Sequence, residues 1–451
     1  MRMSRRRTGT PNARRCRRRA ERLLVTICAG ALLACSALHG AEAGYRDPEF
    51  ARVPFDKWVS QGGNRIHWTV SVPPVRLSTH QRLLQRVTLS VDGKDIEKRR
   101  GEGELLAMIQ YRDSAGRVWQ NHTSFDLATA QPGVERKYLE WSFFSFLLPG
   151  DYTLSVAVCD SKTLEHSASV RKLHIDSLKG DPLPDSWEGL PAVEMISPPF
   201  DPPDVWYLPD ITTGLTLRAQ TQRPLRVRVI LNTTPSQRSS GSLTALRANM
   251  NLLIPALKVL TRMQIPGGMV DAEMVDLTHQ KVIFSQKDAR RLDWPRMRAF
   301  FVETRPGVID AAALSGQWKM RRFFFDEVNR QLSDGSVVIV LSGPAFLEDQ
   351  EPVEPGVPFA GAPRLFYIRY RSPIYPSNTR PRLLRDTMMG RSGRRPPTFS
   401  GPGDDDLLPP MPTDDLERAI LPLNARIFDA ASAKQFRRVL AALLDQLSKL
   451  P

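Results

Sequence analysis

Cysteine is scarce. The chain has 451 residues and four cysteines, and three of them (Cys16, Cys28, Cys35) precede residue 44. Cys159 therefore stands alone in the rest, which excludes an internal disulfide there and any disulfide-dense scaffold. Histidine is also sparse, with seven in the chain, and none is paired at metal-ligand spacing. No GxSxG elbow, HExxH, CxxC or phosphate loop ending in GK[ST] occurs. A Ser-His-Asp set assembled in space stays open, because such sites need no fixed chain order. Hydrophobic residues make up 41% and charged residues 25%. That composition excludes a wholly disordered chain and a polytopic membrane protein. With about 400 residues left after the N-terminal segment, the core is large enough to stand without cross-links.

Charge is abundant, with 63 Lys+Arg against 48 Asp+Glu and a formal net charge of +15. Residues 1–22 alone carry ten arginines and one acid. A 16-residue apolar run, Leu23 to Leu38, follows, and then the small-residue end Ala41-Glu42-Ala43. Basic head, apolar run and small-residue end predict a secretory signal peptide over 1–43, cleaved between Ala43 and Gly44. The run is shorter than the ~20 residues of a spanning helix, although a single N-terminal anchor is the competing reading. Leu32-Leu33-Ala34-Cys35 also resembles a bacterial lipobox, which makes Cys35 a candidate lipidation site. Residues 1–43 hold ten arginines and two glutamates, so the remainder carries 15 − (10 − 2) = +7. Much of the basicity belongs to the targeting segment. It gives no argument for nucleic-acid binding, and no basic helix interleaved with aromatics supports one.

Residues 44–180 read as all-β. Ile66, Trp68, Val70 and Val72 alternate with polar residues, as do Val87, Leu89 and Val91 before an expected turn at Asp92-Gly93. Ala107–Tyr111 and Val118-Trp119 flank Asp113-Ser114-Ala115-Gly116, a hairpin signal. Tyr138 to Leu148 is apolar and aromatic until Pro149-Gly150. Tyr152, Leu154, Val156 and Val158 then alternate with Thr153, Ser155, Ala157 and Cys159. Several short strands with turn signals between them predict a β-sandwich. Cys159, on the face opposite Tyr152, is expected to be a half-buried, inert thiol.

Residues 181–214 read as a Pro-rich linker, with Trp187, Phe200, Trp206 and Tyr207 as apolar anchors against a surface. Prolines at that density oppose helix and central strand. Beyond it, strands alternate with helices: 225–231, helix 242–263, a hairpin turned at Thr278-His279, a helix within 294–302, helix 309–332, strand 336–341, strand 365–370, helix 416–421, strand 425–429 and helix 432–450. This order predicts an α/β layered domain over 215–451 with a mainly parallel sheet. A charged, disordered insertion is expected at about 371–412, with seven arginines from Arg371 to Arg395 and then Asp404 to Asp406. Asp404 to Asp406, Asp414 and Asp415 are expected to form a solvated acidic turn leading into a helix.

The element order in 225–450, with Val337-Val-Ile-Val-Leu-Ser-Gly-Pro and Ala425-Arg-Ile-Phe-Asp through Val439-Leu440, resembles the von Willebrand factor A-like family. The stretch Leu148-Pro-Gly-Asp-Tyr-Thr-Leu-Ser-Val-Ala-Val resembles a strand of immunoglobulin-like modules. The resemblance implies a multidomain chain: an all-β immunoglobulin-like sandwich, then a Rossmann-like α/β domain. It also implies a metal site built on Asp-x-Ser-x-Ser after the first strand. The matching residues are Asn232, Thr234 and Ser236, and Ser342-Gly343-Pro344 stands where a second aspartate is expected. Thr304 is a weak match for the family's separate threonine. With both carboxylates replaced, only neutral oxygens face a divalent ion that dehydrates reluctantly. The expectation is no cofactor, with Mg²⁺ the one candidate, and residues that cap the next helix and close the turn. The functional expectation is a non-enzymatic, exported protein of the cell envelope that contacts a protein or cell-surface partner. An envelope hydrolase and a purely structural scaffold are the alternatives.

Overall fold

Period-two alternation decides the first half of the chain. Strand β4 (Leu83–Asp92) sends Leu83, Val87, Leu89 and Val91 inward, with more exposed residues between them. In the computed structural model the described residues are 44–196, 211, 213–234, 243–297, 299, 319–347, 364–371 and 411–450. The expectations on Cys35, Ala43, Phe200, Trp206, Tyr207, Ser236, Thr304 and nearly all of the 371–412 insertion lie outside them.

Two antiparallel sheets face each other. One has the order β1-β9-β8-β5-β6, from β1 (Gly63–Asn64), β5 (Glu104–Asp113), β6 (Val118–Asp126), β8 (Gly150–Asp160) and β9 (His166–Ile175). The other has the order β10-β7-β4-β2, from β2 (Trp68–Ser71), β4, β7 (Tyr138–Leu147) and β10 (Val193–Ile196), with β3 (Arg76–Leu77) also on β4. Their shared core includes Leu89, Ile109, Tyr111, Phe143, Leu154 and Val156. The hairpin at 113–116 forms as the sequence predicts: Gly116 N donates to Asp113 O at 3.0 Å, and the glycine takes a left-handed φ of 79°. At Pro149-Gly150 the chain crosses from one sheet to the other. There the Tyr152 hydroxyl donates to Leu148 O at 3.0 Å and Ala192 O at 3.1 Å.

Two expectations fail in this half. Asp92-Gly93 is no hairpin turn: Asp92 accepts from Lys94 N at 2.9 Å and caps a helix, α2 (Gly93–Arg99). Glycine is required at 93 because a Cβ there would meet Val134 O at 1.9 Å. Cys159 is fully buried, because helix α1 (Phe55–Gln61), which the alternation pattern did not reveal, covers the outer face of β8 with Phe55 and Trp58. Burial pushes its thiol up to about 12, which fits inertness. The Pro-rich stretch is more than a linker, since β10 joins β7 within it. As an edge strand, β10 tolerates neighbouring prolines.

The second half is a six-stranded sheet, order β15-β14-β12-β16-β17-β18. Its strands are β12 (Arg226–Asn232), β14 (Met269–Asp276), β15 (Lys281–Gln286), β16 (Val337–Ser342), β17 (Leu365–Tyr370) and β18 (Arg426–Ala430). Only the pairing of β15 with β14 is antiparallel. A separate parallel pair joins β11 (Leu217–Arg218) to β13 (Met263–Gln264). Both faces are covered, so the central strands are apolar throughout. On β16, Val337, Ile339 and Leu341 face α3 (Leu243–Leu260) and α6 (Ala433–Ser448), while Val338 and Val340 face α4 (Met320–Ser333) and α5 (Asp415–Ile420). Helix α6 buries Phe436, Val439, Leu440, Leu443, Leu444 and Leu447, a helical stripe that starts behind the cap Ser432.

The described residues from Arg46 onward belong to one compact unit, and the two halves share an interface. Arg437 of α6 is buried and donates to both oxygens of Asp181 at 2.5 and 2.8 Å, and to Leu183 O and Ser186 Oγ. Trp187 donates its indole N–H to Gln81 O at 2.8 Å, and Gln81 Nε2 donates to Ala433 O at 3.0 Å. No helix among the described residues is long and apolar enough to cross a membrane.

Candidate functional site at the strand ends

Open α/β sheets bind at the carboxyl ends of their strands. Here that rim is polar, and the polar groups bond one another. Asn232 ends β12 and is buried. Its Nδ2 donates to Ser342 Oγ at the end of β16 at 2.9 Å, and its Oδ1 accepts from Thr234 N at 3.0 Å. Thr234 Oγ1 accepts from Leu277 N at 2.8 Å, and Thr233 Oγ1 donates to Val275 O at 2.9 Å. These side chains bond across the strand ends at the start of the turn. They tie the end of β12 to β16, to β14 and to the segment that follows β14. The Ser342 hydroxyl donates to Gly343 O at 2.6 Å.

A carboxylate does reach this rim, from a sequence-distant place. Asp414 is fully buried, not solvated, and it caps α5. It accepts from Glu417 N at 2.7 Å, from Ala345 N at 3.2 Å and from the Tyr367 hydroxyl at 2.8 Å. Burial raises its pKa, and the donors oppose that rise. Tyr367 is driven well above the usual phenol range by burial and by the Asp414 charge. Asp415 is buried as well and accepts from Leu347 N at 2.5 Å. Nothing in the sequence pattern separated these two aspartates from the acidic run before them. The one available signal was Asp414 three residues before Glu417, a capping spacing.

This donor set does not fit a divalent ion. Asn232 and Thr234 spend their oxygens on backbone N–H groups, and the Asp414 carboxylate is held by three donors. Among the described residues no group of three His, Cys, Asp or Glu side chains is placed to hold a metal.

Histidine chemistry is dispersed. His279 Nδ1 lies 2.6 Å from Oδ2 of Asp276, which is fully buried at the end of β14. His67 pairs with Asp95 at 2.7 Å, His122 with Asp47 at 2.5 Å and His174 with Asp151 at 2.7 Å, all in the sandwich half. His166 stacks on Trp58.

A second polar cluster lies under α4 at β14, next to the edge strand β15. Glu273 and Glu327 are neighbouring carboxyls, and Gln331 Nε2 donates to Glu327 at 2.7 Å and to Glu273 at 3.3 Å. Arg330 donates to Glu327. Burial, then the neighbouring Glu327, pushes Glu273 up to about 8. Glu273, Arg330 and Gln331 face a cavity of about 330 Å³ that Arg226, Arg228 and Asp271 also line.

No family model and no curated protein matches the chain. Among solved structures, the putative ApaA protein from Bordetella pertussis aligns at 12% identity over 26% of this chain and 94% of its own, with a TM-score of 0.15. A glycosyl hydrolase family 2 member from Bacteroides cellulosilyticus aligns at 8% identity over 65% of this chain and 38% of its own, with a TM-score of 0.18. A Northeast Structural Genomics Consortium target aligns at 11% identity over 26% of this chain and 96% of its own, with a TM-score of 0.17.

Proposed function

We propose that the chain is an exported, non-enzymatic cell-envelope protein that contacts a protein or surface partner. Its layered half acts as a von Willebrand A-like domain whose metal site has been replaced by hydrogen bonds. The observation that carries this reading is the closed set Asn232–Ser342–Thr234–Leu277 at the strand ends. The sheet order, with one antiparallel edge strand on a parallel sheet, supports the A-like assignment. The facing sheets and the Tyr152 hydroxyl bonded back to Leu148 support an immunoglobulin-like sandwich, where such a tyrosine corner recurs. Export rests on the signal-like segment 1–43, with Cys35 as the alternative lipid attachment.

The test is a thermal melt of the full chain with and without Mg²⁺, Mn²⁺ or Ca²⁺. A functional site at 100-fold its Kd adds about 2.7 kcal/mol. The metal-free reading expects no shift with any ion. A shift of several degrees, lost in Thr234→Ala, overturns it.

The Asp276–His279 pair favours the hydrolase as a second reading. Labelling of the full chain by a fluorophosphonate probe, lost in His279→Ala, would establish it.

A further inference from the structure

The tip of the β3–β4 turn is polar and yet buried. Ser78 N donates to Arg82 O at 2.8 Å and Gln81 N to Ser78 O at 2.9 Å, while Gln81 takes a left-handed φ of 59°. This turns His80, Gln81 and Arg82 into the interface with the layered half, where they are 6%, 0% and 2% exposed. Side chains of this kind are rarely buried without partners. Three atoms here have none: Oε1 of Gln81, which lies off the cavity described below, and two nitrogens that face it, Nε2 of His80 and Nη2 of Arg82. The other guanidinium nitrogen, Nη1, donates to Glu194 and, at 2.8 Å, to Thr213 Oγ1.

Both side chains line a cavity of about 70 Å³ between the two halves. Lys258, Arg262, Arg290 and Arg291 line it too, and among the described residues no carboxylate does. The space exceeds that of a single water and is small for a nucleotide. The Phe146 ring backs it, edge-on to His80 at 5.7 Å and beneath Arg82 at 4.6 Å. Arg290 and Arg291 sit exposed at its rim, and Asp288 holds Arg290 at 2.7 Å. Burial and the charges of Lys258 and Arg82 hold His80 neutral, down to about 3, so its ring presents one N–H without adding a further charge.

We infer that this junction cavity is a binding site for a small oxyanion of the phosphate or sulfate class. A guanidinium offers parallel N–H donors that match tetrahedral oxygens, and a buried donor left open is satisfied by an acceptor that enters from solvent. The surrounding cations favour an anionic acceptor over water. The site lies apart from the strand-end rim and does not rest on the von Willebrand A-like reading. It is built from both halves, so an anion bound there holds them together.

The experiment is titration of the full chain with inorganic phosphate, followed by calorimetry and by the thermal midpoint, with chloride at equal ionic strength as the control. The expected result is one site, and a midpoint raised by ~3–5 °C at 100-fold the Kd. Arg290→Gln with Arg291→Gln, at the exposed rim, leaves the phosphate-free midpoint unchanged and weakens binding at least ~10-fold. His80→Phe removes the open nitrogen and weakens binding as well. Tighter binding of glycerol 3-phosphate would support the site and assign it to a phosphate monoester. No binding of phosphate or sulfate at millimolar concentration overturns the inference. So does binding that the rim pair leaves untouched. The rim pair decides the matter even where His80→Phe fails to fold.

Discussion

The strand-end rim and the junction cavity are both polar regions enclosed by the fold, and they differ in one respect. At the rim, the Asn232, Thr234 and Asp414 side chains are bonded within the protein. At the junction, nitrogens of His80 and Arg82 are left open beside further cations. A closed network specifies how strands and helices sit and asks for no ligand. An open, one-signed cavity is costly until something fills it. The family resemblance pointed to the rim, whereas the unsatisfied groups point to the junction.

The largest effect is expected at the closed network. Asp414→Ala strips the α5 cap and leaves the Tyr367 hydroxyl and two backbone N–H groups without their acceptor. It should cost ~2–3 kcal/mol in denaturant unfolding. A loss below ~1 kcal/mol would mean that water reaches these donors and the network is not closed.

The carboxyl pair under α4 is intermediate, since Gln331 bonds both carboxyls while Glu273 Oε1 has no partner. The folded Glu273 keeps a proton up to about 8, whereas an unfolded glutamate releases it near 4.5. The folded state therefore holds the extra proton between these values, and stability falls as pH rises through that window. Glu273→Gln retains the neutral form. It should match the parent at pH 4–5 and exceed it by on the order of 1 kcal/mol at pH 8–9. Equal pH slopes in the two proteins would remove the account of a proton retained on folded Glu273.

The smallest effect has the opposite sign to the first. His80→Phe deletes a buried nitrogen that has no partner, against the Phe146 ring. Without added anion it should be neutral or stabilising, by up to ~1 kcal/mol. A marked loss would show that His80 is already satisfied, and the contrast between the two regions would collapse.

Much of the architecture was legible because local periodicity and burial coincide. SVVIVL had to be a strand covered on both faces, and β16 lies at the sheet centre. The α6 stripe and its Ser432 cap could be read directly. Helix α1 was missed because seven residues carry too little periodicity. The Asp92-Gly93 pair reads equally as a turn or as a cap followed by a helix. Cys159 looked half-buried because the cover on its strand comes from α1, outside the strand's own pattern. At the candidate site, Asn232, Thr234 and Ser342 could be named from the resemblance, but Leu277, whose N–H bonds Thr234, could not.

By itself the sequence determined the signal-like segment, a strand-rich first half, a layered second half and the replacement of two expected carboxylates. These are local properties: charge blocks, alternation, capping residues and residue identity. Only the tertiary structure decided that Asp414 returns to the rim, that Glu273 meets Glu327, and that His80 and Arg82 close on Lys258. Those encounters join residues far apart in the chain, and no local pattern records a distance set by packing.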